Sequence, residues 1–185
     1  MKINIKIIHD QDCESPVDDD CLVSMALFHN RYTLPNTHDV SAEHFSSWNA
    51  IESHITEVLH APVILPVYML DHSGLAFRTS SFNDPWDSGQ VGFIYATRDS
   101  IKECFGVKRI TQELKDRVAK QLESALEEYN VWQSGECYGY CIENEDGEVV
   151  DSCYGYIGRD VVNQAAVEAV SAYVGANVNI IEVEY

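Results

Sequence analysis

The segment at residues 136–158, ECYGYCIENEDGEVVDSCYGYIG, constrains the fold more than any other part of the sequence. Its centre, Asp146-Gly147, is a residue pair that favours a two-residue β-hairpin turn. With that turn, the two Cys-Tyr-Gly-Tyr repeats face each other across the hairpin. The predicted glycine–tyrosine pairs are Gly139 with Tyr154 and Gly155 with Tyr138. Each ring can lie over a glycine, so the doubled motif has a structural reason and the fold must include antiparallel sheet.

The remaining hydrophobic pattern mixes strands and helices along the chain. Ile3, Ile5 and Ile7 alternate on one face of a first strand. Further strands are predicted at 21–29, 61–70, 75–80, 90–97 and 178–185. Pro66 lies inside one of them and indicates a bulge or an edge position there.

Four helices are predicted from apolar spacing and capping residues. They run from Ser41 to about Leu59, from the Thr97 cap to Gly106, from Thr111 to about Gln133, and from Asp160 to about Val174 before Gly175. Since hairpins and helices are mixed rather than alternating, the predicted class is α+β. We expect a mostly antiparallel sheet with three or four helices packed on it. The default is a single domain, residues 1–185, with an acidic loop at about 10–20.

The charge of the chain restricts its partners. Thirty acidic against twelve basic residues give a net charge of -18. This balance disfavours direct binding to nucleic acid or to an anionic membrane, since both require clustered Lys and Arg. It favours a protein partner with a basic surface. The charge is uneven: residues 1–60 carry -7, residues 61–110 are neutral, and residues 111–185 carry -11.

The densest acidic region offers a candidate partner-binding surface. Rows of carboxylates can imitate the phosphates of DNA and occupy a basic channel. The candidate residues are Glu123, Glu127, Glu128, Glu143, Glu145, Asp146 and Glu148. A merely solvated acidic surface is the competing interpretation.

A second candidate site lies in two polar turns, DHSG at 71–74 and PWDSGQ at 85–90. Its residues are Asp71, His72, Trp86, Asp87, Ser88 and Gln90. They include the residue types of a hydrolase triad, but triads are recognised by geometry, and the chain has no G-x-S-x-G elbow. In the competing interpretation the second turn is only a tight loop. Asp87 and Ser88 would then bond its backbone, Gly89 would adopt a positive φ, and Trp86 would pack beneath it.

Common cofactor motifs are missing from the sequence. It contains no P-loop, no G-x-G-x-x-G, no H-E-x-x-H and no C-x-x-C pair. The acidic loop does not have the spacing of an EF-hand. We therefore expect no cofactor, no bound metal and no catalytic residues. With no export signal at its start, the chain is expected in the cytoplasm with its six cysteines as thiols.

The chain also resembles a family. The segments HNRYTL, PVYMLDHSG, PWDSGQVGFIY, GVKRI and the YGY…DSCYGY hairpin are similar to those of an uncharacterised family found in bacteriophages and mobile elements. The resemblance covers about residues 21–158. It implies a phage-like origin and action in the cytoplasm of a host bacterial cell, and it supplies no catalytic residues.

Three functional hypotheses follow. The first is a phage-encoded acidic inhibitor that binds a basic nucleic-acid-binding surface of a host defence enzyme, as an anti-restriction or anti-CRISPR DNA mimic would. The alternative is a small enzyme or ligand-binding protein with its site at the DHSG and PWDSGQ loops. The missing catalytic motifs favour the first. An interaction module with a purely structural role is a third reading.

Overall fold

The computed structural model describes residues 2–18, 20–171 and 177–182. The strands are β1 (Lys2–His9), β2 (Ser24–Leu27), β3 (Val63–Asp71), β4 (Leu75–Arg78), β5 (Ser88–Ala96), β6 (Cys137–Glu143), β7 (Val149–Ile157) and β8 (Asn177–Glu182). The helices are α1 (Trp48–Glu57), α2 (Arg98–Phe105), α3 (Gln112–Gln133) and α4 (Arg159–Val170), with a short 3-10 helix at Ala42–His44. The chain divides into two compact units. The first unit is residues 1–14 and 131–185, and the second unit is residues 15–130.

The first unit contains a four-stranded sheet in the order β7-β6-β1-β8. β1 is antiparallel to β6 and parallel to β8. The alternation predicted for β1 is confirmed, because Ile3, Ile5 and Ile7 are all buried. They pack with Tyr140 and Ile142 of β6 and with a buried face of α4, formed by Val162, Ala166 and Val170.

The predicted hairpin forms from β6 and β7. Gly139 lies beneath the ring of Tyr154 as predicted, since a Cβ built on Gly139 would be 2.2 Å from that ring. The predicted pair of Gly155 with Tyr138 is wrong. Tyr138 pairs with Tyr156 instead, because the register shifts between Tyr138 and Tyr140 and Gly155 takes a φ of 83°.

The second unit contains an antiparallel four-stranded sheet in the order β2-β5-β3-β4. The indication from Pro66 is confirmed. β3 pairs with β4 only from Tyr68 onward, so one side of Pro66 has no strand partner among the described residues. The β3–β5 register also shifts between Val67 and Tyr68, which is a bulge next to the proline.

The helices of the second unit agree with the sequence except at one start. Ser41 precedes the 3-10 helix, and α1 begins only at Trp48, where the side chain of the preceding Ser47 accepts a hydrogen bond from the Ala50 amide. Thr97 caps α2 as predicted, and Gly106 ends α2 with a φ of 62°. α3 has one buried apolar face, formed by Val118, Leu122, Leu126 and Tyr129.

The α+β class is therefore confirmed, with two sheets where one was predicted. Residues 10–18 and 20 form a loop without helix or strand. The predicted helix end at Val174, Gly175 and the last three residues of the predicted C-terminal strand lie outside the described residues. Within the described part of the chain, none of the helices has the length and apolarity to cross a membrane.

Candidate functional site

The β6–β7 turn at residues 144–148, here called the acidic turn, is held together by hydrogen bonds to one asparagine. The Asn144 side-chain oxygen accepts hydrogen bonds from the amides of Asp146 at 3.0 Å and Glu148 at 2.9 Å. The Asn144 Nδ2 donates to Glu148 Oε2 at 3.0 Å. The Gly147 amide donates to the Asn144 carbonyl, and Gly147 has a φ of 83°. The sequence predicted a two-residue turn at Asp146-Gly147. The observed turn is longer and spans residues 144–148, with Gly147 near its end.

Three of the predicted partner-binding carboxylates project from the acidic turn. Glu145, Asp146 and Glu148 are exposed. Among the described residues, no Lys, Arg or His nitrogen lies within 4.0 Å of any of these three carboxylates. The turn therefore presents an array of uncompensated negative charge on a fixed backbone.

Glu143 belongs to a different environment. Its Oε1 accepts a hydrogen bond from Lys6 Nζ of β1 at 2.6 Å, and its side chain is only 17% exposed. The ion pair links the hairpin to the central strand. Glu143 thus has a structural partner and contributes less free charge than its neighbours in the turn.

Strand β7, which follows the acidic turn, exposes apolar side chains. Val149 is 59% exposed, Val150 39% and Tyr154 52%. β7 is the last strand of its sheet, so its outer edge has no strand partner among the described residues. Sequence reasoning missed this apolar strip, because a Val-Val pair beside a turn also fits a buried strand.

The remaining predicted acidic residues lie in the second unit. Glu123, Glu127 and Glu128 are exposed on α3. Glu123 and Glu127 line a cavity of about 300 Å³ that Arg78 also lines. The seven predicted residues are therefore divided between the two units, four in the first and three in the second.

The structure brings the DHSG and PWDSGQ loops together at one end of the β3–β5 pair. The Asp71 amide donates to the Asp87 carbonyl at 2.8 Å, and His72 Nδ1 lies 3.1 Å from Asp87 Oδ2. Two residues that the sequence analysis did not propose complete the cluster. Arg31 Nη2 donates to Asp71 Oδ2 at 2.5 Å, and the Tyr32 hydroxyl donates to the same oxygen at 3.1 Å.

The PWDSGQ loop is built differently from the expectation. Asp84, not Asp87, bonds the turn, because its Oδ1 accepts from the amides of Trp86 at 2.9 Å and Asp87 at 3.0 Å. These backbone donors lower the pKa of Asp84. The predicted packing of Trp86 beneath the loop is wrong, since its side chain is 91% exposed.

The structure also places three other residues of this loop, Ser88, Gly89 and Gln90. The Ser88 hydroxyl donates to the Asp84 carbonyl, so its role in bonding the turn is confirmed. Gly89 lies in β5 without a positive φ, which contradicts the expectation. The Gln90 side chain donates to the Gly92 carbonyl at 3.4 Å.

These loops offer a solvent-exposed imidazole–carboxylate pair, His72 with Asp87, beside the ion pair of Arg31 with Asp71. The His72 side chain is 67% exposed and that of Asp87 is 47% exposed. The only nearby hydroxyl of the predicted set, on Ser88, is engaged with backbone. Over the described ranges, no group of three or more His, Cys, Asp or Glu side chains is arranged to hold a metal ion.

Sequence reasoning also missed a cluster of basic residues. Arg98, Lys102, Lys108, Arg109 and Lys115 line one cavity of the second unit. The net charge was summed over segments of fifty residues or more. Acidic residues in the same segments cancelled the charge of these basic residues and so concealed the cluster. A window of about one helix–loop–helix would have revealed them, since residues 98–120 contain seven of the twelve Lys and Arg residues.

Comparison with protein-family models, with curated proteins and with solved structures found no match to this chain.

Proposed function

We propose that this protein is a non-enzymatic acidic inhibitor that places its acidic turn on a basic, nucleic-acid-binding surface of another protein. The phage-like segments of the sequence support a host defence enzyme as the partner. The carboxylates of the inhibitor would occupy positions that the phosphates of DNA otherwise fill. Restriction and CRISPR-type enzymes have such surfaces.

The observation that carries this proposal is the array of Glu145, Asp146 and Glu148, exposed and without a cationic partner among the described residues. The Asn144 hydrogen bonds hold the backbone beneath these carboxylates before any partner arrives. Binding therefore requires little ordering of the turn, and the ordering of a flexible loop would otherwise reduce affinity.

The net charge of the first unit also supports binding to a basic surface. It contains thirteen acidic and three basic residues, a net charge of -10 over 69 residues. A field of this sign accelerates encounter with a basic surface and weakens with salt. It also repels nucleic acid, so the inhibitor would compete with DNA without binding it.

The exposed side chains of β7 support a specific complex rather than diffuse attraction. Val149, Val150 and Tyr154 offer apolar area next to the acidic turn. Protein interfaces combine a desolvated apolar centre with a charged rim, and tyrosine is enriched among the residues that contribute most affinity. We place the centre of the interface on β7 and its charged rim on the acidic turn.

The test compares two variants with equal charge change. The first carries Glu145→Gln, Asp146→Asn and Glu148→Gln, and the control carries Glu43→Gln, Glu52→Gln and Glu57→Gln at exposed positions outside the proposed surface. Proteins captured from bacterial lysate by the wild type are purified, and their affinity for each variant is measured at low and high salt, with and without duplex DNA.

We expect the turn variant to lose about tenfold or more in affinity while the control stays within about twofold. Duplex DNA should displace the wild type. Equal binding by the turn variant and the wild type, or a partner indifferent to DNA, would refute the proposal. Thermal melting of both variants verifies that neither has unfolded.

A second candidate function, a ligand site at the two loops, is favoured by one observation. His72 and Asp87 pair across the two loops, the Asp71 amide bonds the Asp87 carbonyl, and the exposed Trp86 directly precedes Asp87 in the chain. In this reading His72→Ala and Asp87→Asn remove function while the turn variant stays active. Loss of function in the turn variant, with both loop variants active, supports the inhibitor.

A further inference from the structure

The cavity lined by Arg98, Lys102, Lys108, Arg109 and Lys115, here called the basic cavity, has a volume of about 290 Å³. Pro62 and Ile110 supply its apolar lining. The described residues that line it include no carboxylate and no aromatic ring. Five of the twelve Lys and Arg residues of a chain with net charge -18 therefore share one small cavity.

Local structure explains how the five side chains converge. Arg98 and Lys102 are four residues apart on α2 and so lie on the same helical face. Gly106 ends α2 in a left-handed conformation, and the connection that follows carries Lys108 and Arg109. α3 then begins at Gln112 and brings Lys115 to the cavity one turn later.

These cations have no anionic partner within the described residues. None of the five forms a salt bridge or a side-chain hydrogen bond there. Acidic residues lie on the same helices, namely Asp99, Glu103, Glu113 and Asp116, and none of them is within 4.0 Å of the five cations. Clustered like charges repel, and an unneutralised cluster lowers stability unless an anion occupies it.

We propose that the basic cavity binds the phosphate chain of a small polyphosphorylated molecule. Arginine presents a planar fork that pairs with two phosphate oxygens, and lysine adds a compact charge with three donors. The volume is at the small end of the range for ligand sites, which suits a chain of two or three phosphates. Because the described lining is cationic and contains no aromatic ring, the phosphate chain rather than a base is the recognised group.

A small ligand fits the charge of the unit better than a nucleic-acid strand does. The second unit has seventeen acidic and nine basic residues, a net charge of -8. An extended strand would pass over this acidic surface, whereas a compact polyphosphate stays inside the cavity. The site is independent of the proposed inhibitor function, since it uses no residue of the acidic turn or of β7.

Isothermal titration of the whole chain with tripolyphosphate at low salt tests the proposal. The cavity variant carries Arg109→Gln and Lys115→Gln. The matched control carries Arg117→Gln and Lys120→Gln, which removes the same two residue types from the same stretch at positions that do not line the cavity. Lys108→Gln with Arg109→Gln, both exposed in the α2–α3 connection, is a second cavity variant should the first fail to fold.

We expect saturable binding at one site, weakened about tenfold or more in either cavity variant and changed less than about twofold in the control. If ATP binds as tightly as tripolyphosphate, the ligand is the phosphate tail of a nucleotide. If ATP does not bind, the ligand is free polyphosphate. Absence of saturable binding, equal loss in cavity and control variants, or tighter binding of a short DNA duplex would each overturn the proposal.

Discussion

Replacing Gly92 with alanine tests how closely β2 and β5 approach each other in the second unit. Gly92 pairs with Leu27 of β2 and has a φ of 155°. A Cβ built on it would lie 2.0 Å from the Ala26 carbonyl oxygen and 2.9 Å from Leu27 Cα, both backbone atoms. Real Cβ contacts are essentially never under 3.0 Å, so β2 would have to move by about 1 Å.

β2 is not free to move that far, because it is also held from its other edge. The Leu27 amide donates to the Pro35 carbonyl at 2.9 Å, and the Thr37 amide donates to the Met25 carbonyl at 2.8 Å. Overpacking of this kind costs about 1–3 kcal/mol. The unfavourable φ adds about 1–3 kcal/mol, and the reduced freedom of the unfolded chain returns somewhat less than 1 kcal/mol. The expected net destabilisation is about 3 kcal/mol.

Urea unfolding followed by circular dichroism measures this difference. Gly89→Ala in the same strand is the matched control, since nothing lies within 4 Å of a Cβ there and its φ is not positive. It should stay within about 0.5 kcal/mol of the wild type. Equal stability of the Gly92→Ala and Gly89→Ala variants would refute the argument that the β2–β5 approach requires glycine.

Three further predictions concern other contacts. Burial, with a smaller effect of the Asp18 carboxylate, raises the pKa of Tyr129 to about 12, so the stability that its neutral hydroxyl contributes is complete below pH 10 and is lost as pH rises from 10 to 12. Urea unfolding across this range should show a smaller loss of stability in Tyr129→Phe than in the wild type, and equal losses would contradict the assignment. Cys21 and Cys104 have their sulfurs 2.6 Å apart, so diamide should oxidise them to a disulfide detectable by peptide mass spectrometry, and recovery of both as alkylated thiols would contradict this. Asn130 bonds both backbone groups of Phe77 at 2.6 Å, so Asn130→Leu should cost about 2–4 kcal/mol in urea unfolding, and a loss under 1 kcal/mol would argue against the paired bonds.

Patterns of neighbouring residues correctly predicted the features that depend only on neighbouring residues or on an adjacent strand. The alternation of Ile3, Ile5 and Ile7 and the Gly139–Tyr154 contact depend on strand periodicity and on one neighbouring strand, and both were predicted. The displaced partner of Gly155 depends on a distant residue, because its amide donates to Asp10 Oδ2 at 3.0 Å, across 145 positions in the chain. No pattern near Gly155 contains that information.

Competing local signals explain the remaining differences. Ser41 and Ser47 both precede apolar residues with helical spacing, and only the folded chain shows which serine caps α1. Asp84 and Asp87 flank the same turn, and the bond from the Trp86 amide decides which of them holds it. Convergence of the two polar loops follows from the pairing of β3 with β5, so it required the sheet order.

The division of the first unit between residues 1–14 and 131–185 has a consequence for how the protein is made. β1 precedes residues 15–130 in the chain, whereas both of its sheet partners, β6 and β8, follow them. Residues 15–130 are continuous and contain all their own strand partners, so they can fold while the ribosome is still translating. Closure of the first sheet must therefore wait until β6 and β8 have left the ribosome, so the acidic turn is completed after the second unit has had time to fold.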